Sequence, residues 1–186
     1  MAIKTFTTGE VLTASDTNTY LANAGLVYVT SVTYSGSSAV NVDNCFTSTM
    51  WNYLLINTCT GSAATNVRLK YRAAGATDST NQYYGQGFYP NNSTTGYVYD
   101  FPVTTGHFLG NYSTVSSEEG TQIVNVYNPQ RAVRTNSTVD WEASNSALGG
   151  SNYNTFVGTT AFDGFALIPA TGTITGTVFV YGYRKA

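Results

Sequence analysis

Two carboxylates beside a tryptophan are the residues of this sequence whose types and spacing come closest to catalytic chemistry. Asp140 and Glu142 flank Trp141 and would share one face of an extended strand. Such a pair is the minimum that a glycoside hydrolase uses, but that chemistry also needs a cleft and two unlike environments. The adjacent Glu118 and Glu119 would point in opposite directions in an extended chain. We therefore predict a protein that is not an enzyme, with no catalytic residues.

One histidine and two cysteines are the other candidates for chemistry. His107 lies in a loop-like context with no cysteine or second histidine nearby, so we expect no metal site and no cofactor. Cys45 and Cys59 are too few for a disulfide framework. Free or structural thiols are the preferred interpretation, and a bridge between the two is the alternative.

Three basic residues, Arg68, Lys70 and Arg72, alternate with apolar residues along a predicted strand. A solvated strand face is the default interpretation, and the alternatives are pairing with acidic groups of an adjacent subunit or binding of an anionic ligand. The whole chain has 8 basic and 10 acidic residues and a net charge of −2. This composition argues against nucleic acid as a partner, and no apolar run is long enough for membrane insertion.

The residues between 173 and 185 form the clearest strand pattern in the chain. Ile174, Val178 and Val180 fall on one face, whereas the other face is aromatic and Thr-rich, with Thr175, Thr177, Phe179, Tyr181 and Tyr183. Since neither face is strongly polar, we expect the aliphatic face to pack in a core between sheets. The aromatic face should pack against other residues, either within the same fold or across a subunit contact.

Strand-length segments recur about every ten residues after residue 25, separated by Gly, Pro, Asn and Ser clusters. This pattern predicts an all-β fold, a jelly-roll-like β-sandwich of about eight to ten strands over residues 26–186. Residues 1–25 are predicted to form an N-terminal arm with a short helix over 14–22. Exposed loops are expected at 91–96, 113–120 and 144–152.

Aromatic residues are abundant, with 15 Tyr, 9 Phe and 2 Trp among many small polar residues. Such a composition is typical of a binding surface, because Tyr combines a large rigid ring with a polar tip. Tyr83, Tyr84, Phe88 and Tyr89 lie in one Gly-punctuated stretch. Cross-strand packing in the core is the interpretation that we favour for most of them.

The segment F-T-T-G-E-V-L-T-A-S-D-T-N-T-Y-L, residues 6–21, resembles the opening of many bacteriophage tail and minor virion proteins. An ordinary capped helix is the alternative interpretation. A helix of about nine residues is not stable alone, so the segment must dock on its own domain, a neighbouring copy or another protein. The residues expected to make these docking contacts are Phe6, Val11, Leu12, Asn18, Tyr20 and Leu21.

Three further segments resemble, in their order, the β-sandwich domains of phage fibre and spike proteins. They are W-N-Y-L-L-I-N, V-R-L-K-Y-R-A-A-G and residues 172–182, although the chain lacks a long stalk. The resemblance implies a tail-associated fibre, spike or adhesion module of the virion, assembled in the host cytoplasm. Its implied partners are its own copies in a homotrimer, neighbouring tail or capsid proteins, and a host surface glycan.

For the trimer contact we single out Phe179, Tyr181, Tyr183, Arg68, Lys70 and Arg72. Two alternatives to the tail protein remain open: a cement or decoration protein that stabilises the capsid, and a free carbohydrate-binding module.

Overall fold

The computed structural model describes residues 7–11, 13–16, 25–91, 94–112, 119–143 and 149–184, and strands account for most of them. Ala14–Asp16 are helical (α1); the rest of the expected helix, residues 17–22, lies outside the described residues. The strands are β1 Leu26–Ser37, β2 Val40–Val42, β3 Met50–Gly61, β4 Thr65–Ala73, β5 Ala76–Thr77, β6 Tyr83–Asn91, β7 Thr94–Val103, β8 His107–Tyr112, β9 Gly120–Tyr127, β10 Thr135–Glu142, β11 Gly149–Phe156, β12 Gly164–Pro169 and β13 Ile174–Arg184.

These strands form two sheets, so the all-β, sandwich-like fold predicted from the strand spacing is confirmed. The large sheet has the order β1-β13-β3-β9-β10-β11-β6-β7, and the small sheet has the order β2-β12-β4-β5, with β8 also pairing with β4. All pairs are antiparallel. The described residues contain 13 strands against the eight to ten expected, and the sequence pattern had predicted no strand at β5 or β12.

Strand β13 lies inside the large sheet, between β1 and β3, as its two apolar faces require. It pairs with β1 from Leu26↔Tyr183 to Ser37↔Ile174 and with β3 along nearly its whole length. Ile174, Val178 and Val180 are fully buried, which confirms the aliphatic face. The strand therefore has no free edge that could pair with another chain.

The core fills the space between the inner faces of the two sheets. On β4 the alternation predicted from the sequence holds, with Val67, Leu69 and Tyr71 at 0% exposure. Tyr71 lies at the centre of an aromatic cluster, stacked on Phe162 at 4.9 Å between ring centroids and on Tyr83 at 6.1 Å. This cluster joins β4 of the small sheet to β6 of the large one.

A polar seam runs through part of this interior, which the sequence pattern did not predict. Asn57 accepts a hydrogen bond from the Tyr34 hydroxyl at 2.7 Å and donates one to Gln122 at 2.7 Å. Further buried polar side chains on β10 and β11 are Thr135, Ser137, Asn152 and Asn154. The loop expected over 144–152 is wrong for residues 149–152, which belong to β11.

Strand β8 approaches the large sheet closely at Gly110. A Cβ atom added to Gly110 would lie 3.0 Å from the Trp141 ring, and its φ of +143° is one that side-chain-bearing residues rarely adopt. Glycine at this position therefore allows the backbone of β8 to lie against Trp141 on β10.

Candidate functional site

The outer face of the large sheet carries the most distinctive surface of the described structure. Antiparallel register places outward side chains of neighbouring strands directly opposite one another, so they form rows across the sheet. One row runs Phe179, Ile56, Ile123 and Asp140 across β13, β3, β9 and β10. The next row runs Tyr28, Tyr181, Leu54, Asn125, Thr138, Tyr153 and Gln86.

The half of this face formed by β1, β13, β3 and β9 combines exposed apolar and aromatic side chains with Thr, Ser and Asn, and its described rows carry no charge; we call it the apolar half. Its exposed side chains include Tyr28 at 56%, Ile123 at 43%, Tyr183 at 40% and Phe179 at 37%. Tyr28 and Tyr181 meet edge to face with ring centroids 5.9 Å apart. The aromatic face predicted for β13 is therefore present and continues onto the neighbouring strands.

The other half contains an open groove of about 490 Å³ over β9, β10, β11 and β6, which we call the tyrosine groove. It is lined by Tyr84, Gly85, Gln86, Tyr127, Asn136, Ser137, Thr138, Tyr153, Asn154 and Thr155. Tyr84 is 38% exposed and Tyr153 is 59% exposed. Every lining residue is uncharged, and the lining combines phenol rings with amides and hydroxyls.

Hydrogen bonds hold several polar side chains of this region in place. The Thr155 hydroxyl donates to the Asn136 side-chain oxygen at 2.9 Å. The Asn125 amide donates to the Thr138 hydroxyl at 3.4 Å, and the Tyr183 hydroxyl donates to Asn125 at 3.3 Å. These bonds restrict the orientations of Asn136, Thr138 and Thr155, which line the groove.

The carboxylate pair predicted at Asp140 and Glu142 does share one strand face, beside the tyrosine groove. Both side chains are exposed and line a second open groove of about 430 Å³ together with Ile123 and Gly149. Trp141, between them in sequence, is buried at 4% exposure. Ser151 donates to Asp140 at 2.5 Å. Glu119 is exposed, and Glu118 lies outside the described residues.

The basic residues of β4 lie on the outer face of the small sheet, on the opposite side of the sandwich from Phe179, Tyr181 and Tyr183. One face of the strand was expected to be wet, and this is wrong for Arg72. Its side chain is 8% exposed and forms an ion pair with Asp43 at 2.6 Å. It also donates to Thr77 and to the Gly75 carbonyl. The Arg72 guanidinium therefore has its hydrogen-bond partners within its own chain.

The other two basic residues of β4 are partly exposed. Arg68 donates to the Gly106 carbonyl at 2.9 Å and lies 5.9 Å from the centroid of the Phe108 ring. Lys70 is the third member of the set. A subunit contact through Arg68 and Lys70 stays a prediction.

His107 is the first residue of β8 and is fully buried, so the loop-like context expected for it is wrong. Its ring lies 5.0 Å from the Tyr83 ring and 5.5 Å from the Tyr71 ring. Neither ring nitrogen has a hydrogen-bond partner among the described residues. Burial, with a smaller effect from the charge of Arg68, lowers the pKa of His107 to about 3.

Both cysteines are buried thiols and no disulfide joins them, which confirms the preferred interpretation over the bridge. Burial raises the pKa of the Cys45 thiol to about 12. Cys45 also lies 3.6 Å from the Val42 carbonyl oxygen, to which it donates.

Of the residues predicted to dock the N-terminal arm, the structure describes Val11, which exposes 78% of its surface. The other five, Phe6, Leu12, Asn18, Tyr20 and Leu21, lie outside the described residues.

The sequence did not single out the residues that form the tyrosine groove. Of the aromatic stretch, Tyr83 is buried in the core as favoured, whereas Tyr84 and Phe88 are exposed on the outer face. Tyr153 and Asn136 reach the groove only through the strand order β10-β11-β6. Alternation within β11 would have given the opposite answer, because the polar Asn152 and Asn154 are buried and the aromatic Tyr153 between them is exposed.

Comparisons with protein-family models, with curated proteins and with solved structures found no match for this chain. Over the described residues, no helix combines the length and hydrophobicity needed to cross a bilayer. The same residues contain no group of three or more His, Cys, Asp or Glu side chains placed to hold a metal ion.

Proposed function

We propose that this chain is a non-enzymatic structural and adhesion protein of a tailed-phage particle, located in the tail and working as a homotrimer. Residues 1–25 anchor it to the particle, and the β-sandwich presents its outer surfaces to other copies and to the host. The observation that carries the self-association is the apolar half of the large sheet.

Several features of the apolar half support a contact with a second copy of the chain. In the described structure, the rows across β1, β13, β3 and β9 contain aliphatic, aromatic, Thr, Ser and Asn side chains and no charged ones. Monomeric proteins rarely leave continuous apolar patches exposed, and aromatic residues are enriched at subunit contacts. Ile123, Phe179 and Tyr28 would lie near the centre of such a contact.

The anchoring role of the N-terminal arm is supported by its resemblance to the opening of phage tail proteins and by the exposure of Val11. Burial of an apolar side chain of this kind contributes about 1.5 to 3 kcal/mol, so a few such residues can hold an arm in a groove.

The oligomer is tested by light scattering on the purified full-length chain. We expect about three times the 19.9 kDa of a single chain at micromolar concentration. Ile123→Asp should shift the mass towards the monomer, because it puts a charge into the contact. Val133→Asp is the matched control, since Val133 is also exposed, at 38%, but lies on a loop. A monomeric wild type, or an unchanged mass for Ile123→Asp, contradicts the proposal.

Anchoring is tested by deleting residues 1–25 and measuring incorporation into phage particles. The truncated chain should fold, as judged by circular dichroism and a cooperative thermal transition, yet be absent from purified particles. Normal packaging of the truncated chain refutes anchoring by the arm. Cryo-electron microscopy of wild-type particles then locates the protein, and density on the head would favour a decoration protein over a tail protein.

A further inference from the structure

The tyrosine groove has the chemistry of a carbohydrate site, and we infer that it binds an uncharged glycan. The inference rests on the adhesive role proposed above and deepens it, because it assigns a ligand class to a surface that neither the arm nor the apolar half requires. It depends on three properties of the groove: its rings, its polar groups and its lack of charge.

The rings come from Tyr84 on β6, Tyr153 on β11 and Tyr127 on β9. Tyr84 pairs with Thr155, two residues from Tyr153, so the two tyrosines are diagonal neighbours with Cα atoms about 7 to 8 Å apart. Tyr127 lies in the same row as Tyr84, with Asn136 and Thr155 between them. Three strand spacings separate Tyr127 from Tyr84, about 14 Å. Rings at this spacing could pack on the C–H faces of successive sugar units.

The polar groups between these rings are suited to sugar hydroxyls. Amide and hydroxyl side chains both donate and accept hydrogen bonds, as a hydroxyl ligand requires. The bond between Thr155 and Asn136 uses only part of the capacity of either group and fixes their positions. Gln86 and Thr138 lie opposite Tyr153 on the two neighbouring strands, so the ring of Tyr153 has polar groups on both sides.

The electrostatics favour a neutral ligand over an acidic one. The residues that line the groove carry no charge. Asp140 follows Thr138 on the same face of β10, and Glu142 comes next. Their negative charges would repel a sialylated, uronate-containing or phosphorylated ligand, and nucleic-acid binding needs basic side chains to neutralise phosphates. An uncharged oligosaccharide is therefore the class that fits.

The test is a glycan array probed with the labelled full-length protein, printed with neutral hexose and N-acetylhexosamine oligosaccharides and with sialylated and uronate-containing ones. We expect the protein to bind one or more neutral glycans. Binding to the acidic glycans alone is not expected. Calorimetry with the best neutral oligosaccharide on the array then gives affinities for variants.

Tyr153→Ala should weaken binding at least about tenfold, the change that corresponds to 1.4 kcal/mol of lost stacking. Tyr153→Phe should keep most of the affinity, because the ring is retained. Phe88→Ala is the matched control: Phe88 is similarly exposed, at 50%, on the same sheet face, but it lines neither the tyrosine groove nor the apolar half. Thermal unfolding checks that each variant folds.

Three outcomes would overturn the inference: no neutral glycan bound at millimolar concentration, binding only to acidic glycans, or an equal loss in Phe88→Ala. The array uses purified protein, so its result does not depend on particle incorporation, and the proposed assembly function can fail or succeed separately.

Discussion

The burial of His107 should make folding stability depend on pH in a range where few other groups titrate. It is the one histidine of the chain. In the unfolded chain its pKa would be near the ordinary value of about 6.5, whereas burial lowers the pKa to about 3 in the folded protein. Between these two pKa values the unfolded chain binds a proton on His107, whereas the folded protein does not. Stability is fully present above pH 6.5 and is lost as the pH falls towards 3.

The size of the effect follows from these two pKa values. Between pH 7 and pH 5 the unfolded imidazole becomes almost fully protonated while the folded one stays neutral, which costs about 2 kcal/mol of unfolding free energy. The complete loss, reached only below pH 3, would be about 5 kcal/mol. Ordinary carboxylates titrate near pH 4, so the measurement stops at pH 5 to keep their contribution small.

The assay is urea unfolding, followed by tryptophan fluorescence, at pH 7, 6 and 5 for the wild type and for His107→Phe. The phenylalanine keeps a ring between Tyr71 and Tyr83 but cannot be protonated. The quantity to compare is the change in unfolding free energy from pH 7 to pH 5 within each protein. We expect a loss of about 2 kcal/mol in the wild type and a much smaller loss in the variant. A flat wild-type profile would refute the reasoning, and so would an equal loss in His107→Phe.

Two further substitutions test the packing described above, both by thermal or urea unfolding. Asp43→Asn should cost about 2 kcal/mol, because it leaves the buried Arg72 guanidinium without its counter-charge; the cost is below that of a fully buried pair, since Asp43 is 36% exposed. A variant as stable as the wild type would show that this pair is dispensable. Gly110→Ala should cost about 1 to 3 kcal/mol or more, because the new Cβ meets the Trp141 ring at 3.0 Å. Gly36→Ala is its control, with a positive φ of +56° but nothing within 4 Å, and an equal cost in both would contradict the steric argument.

Strands with one covered and one open face were predictable from the sequence, because their side chains alternate in polarity. Strand β4 shows this, with Val67, Leu69 and Tyr71 buried and Arg68 and Lys70 between them partly exposed. Strand β12 was missed for the opposite reason. Its residues from 164 to 167 are buried in succession, since it lies between β2 and β4, and a short apolar run without alternation does not identify its structure.

The candidate site was harder to predict, because its residues come together only through the order of the strands. Tyr84 and Tyr153 are far apart in sequence and become neighbours when β6 pairs with β11. The burial of single polar residues was equally hard to predict. Arg72 continues a basic alternation that is typical of a solvated face, yet its side chain is buried in an ion pair with Asp43. No local pattern encodes where such a partner will lie.

The position of β13 between β1 and β3 also has a consequence for synthesis on the ribosome. Of the described strands, β13 is the last to be translated, yet it lies between β1 and β3 in the large sheet and pairs with both. Until it emerges, the facing edges of β1 and β3 stay unpaired, and their backbone groups can pair with other nascent chains. Contacts such as Thr33 with Thr177, 144 residues apart, also form slowly because the loop that they close is long. The large sheet is therefore completed only after β13 has been translated, and folding at low temperature or with a chaperone should raise the yield of soluble protein.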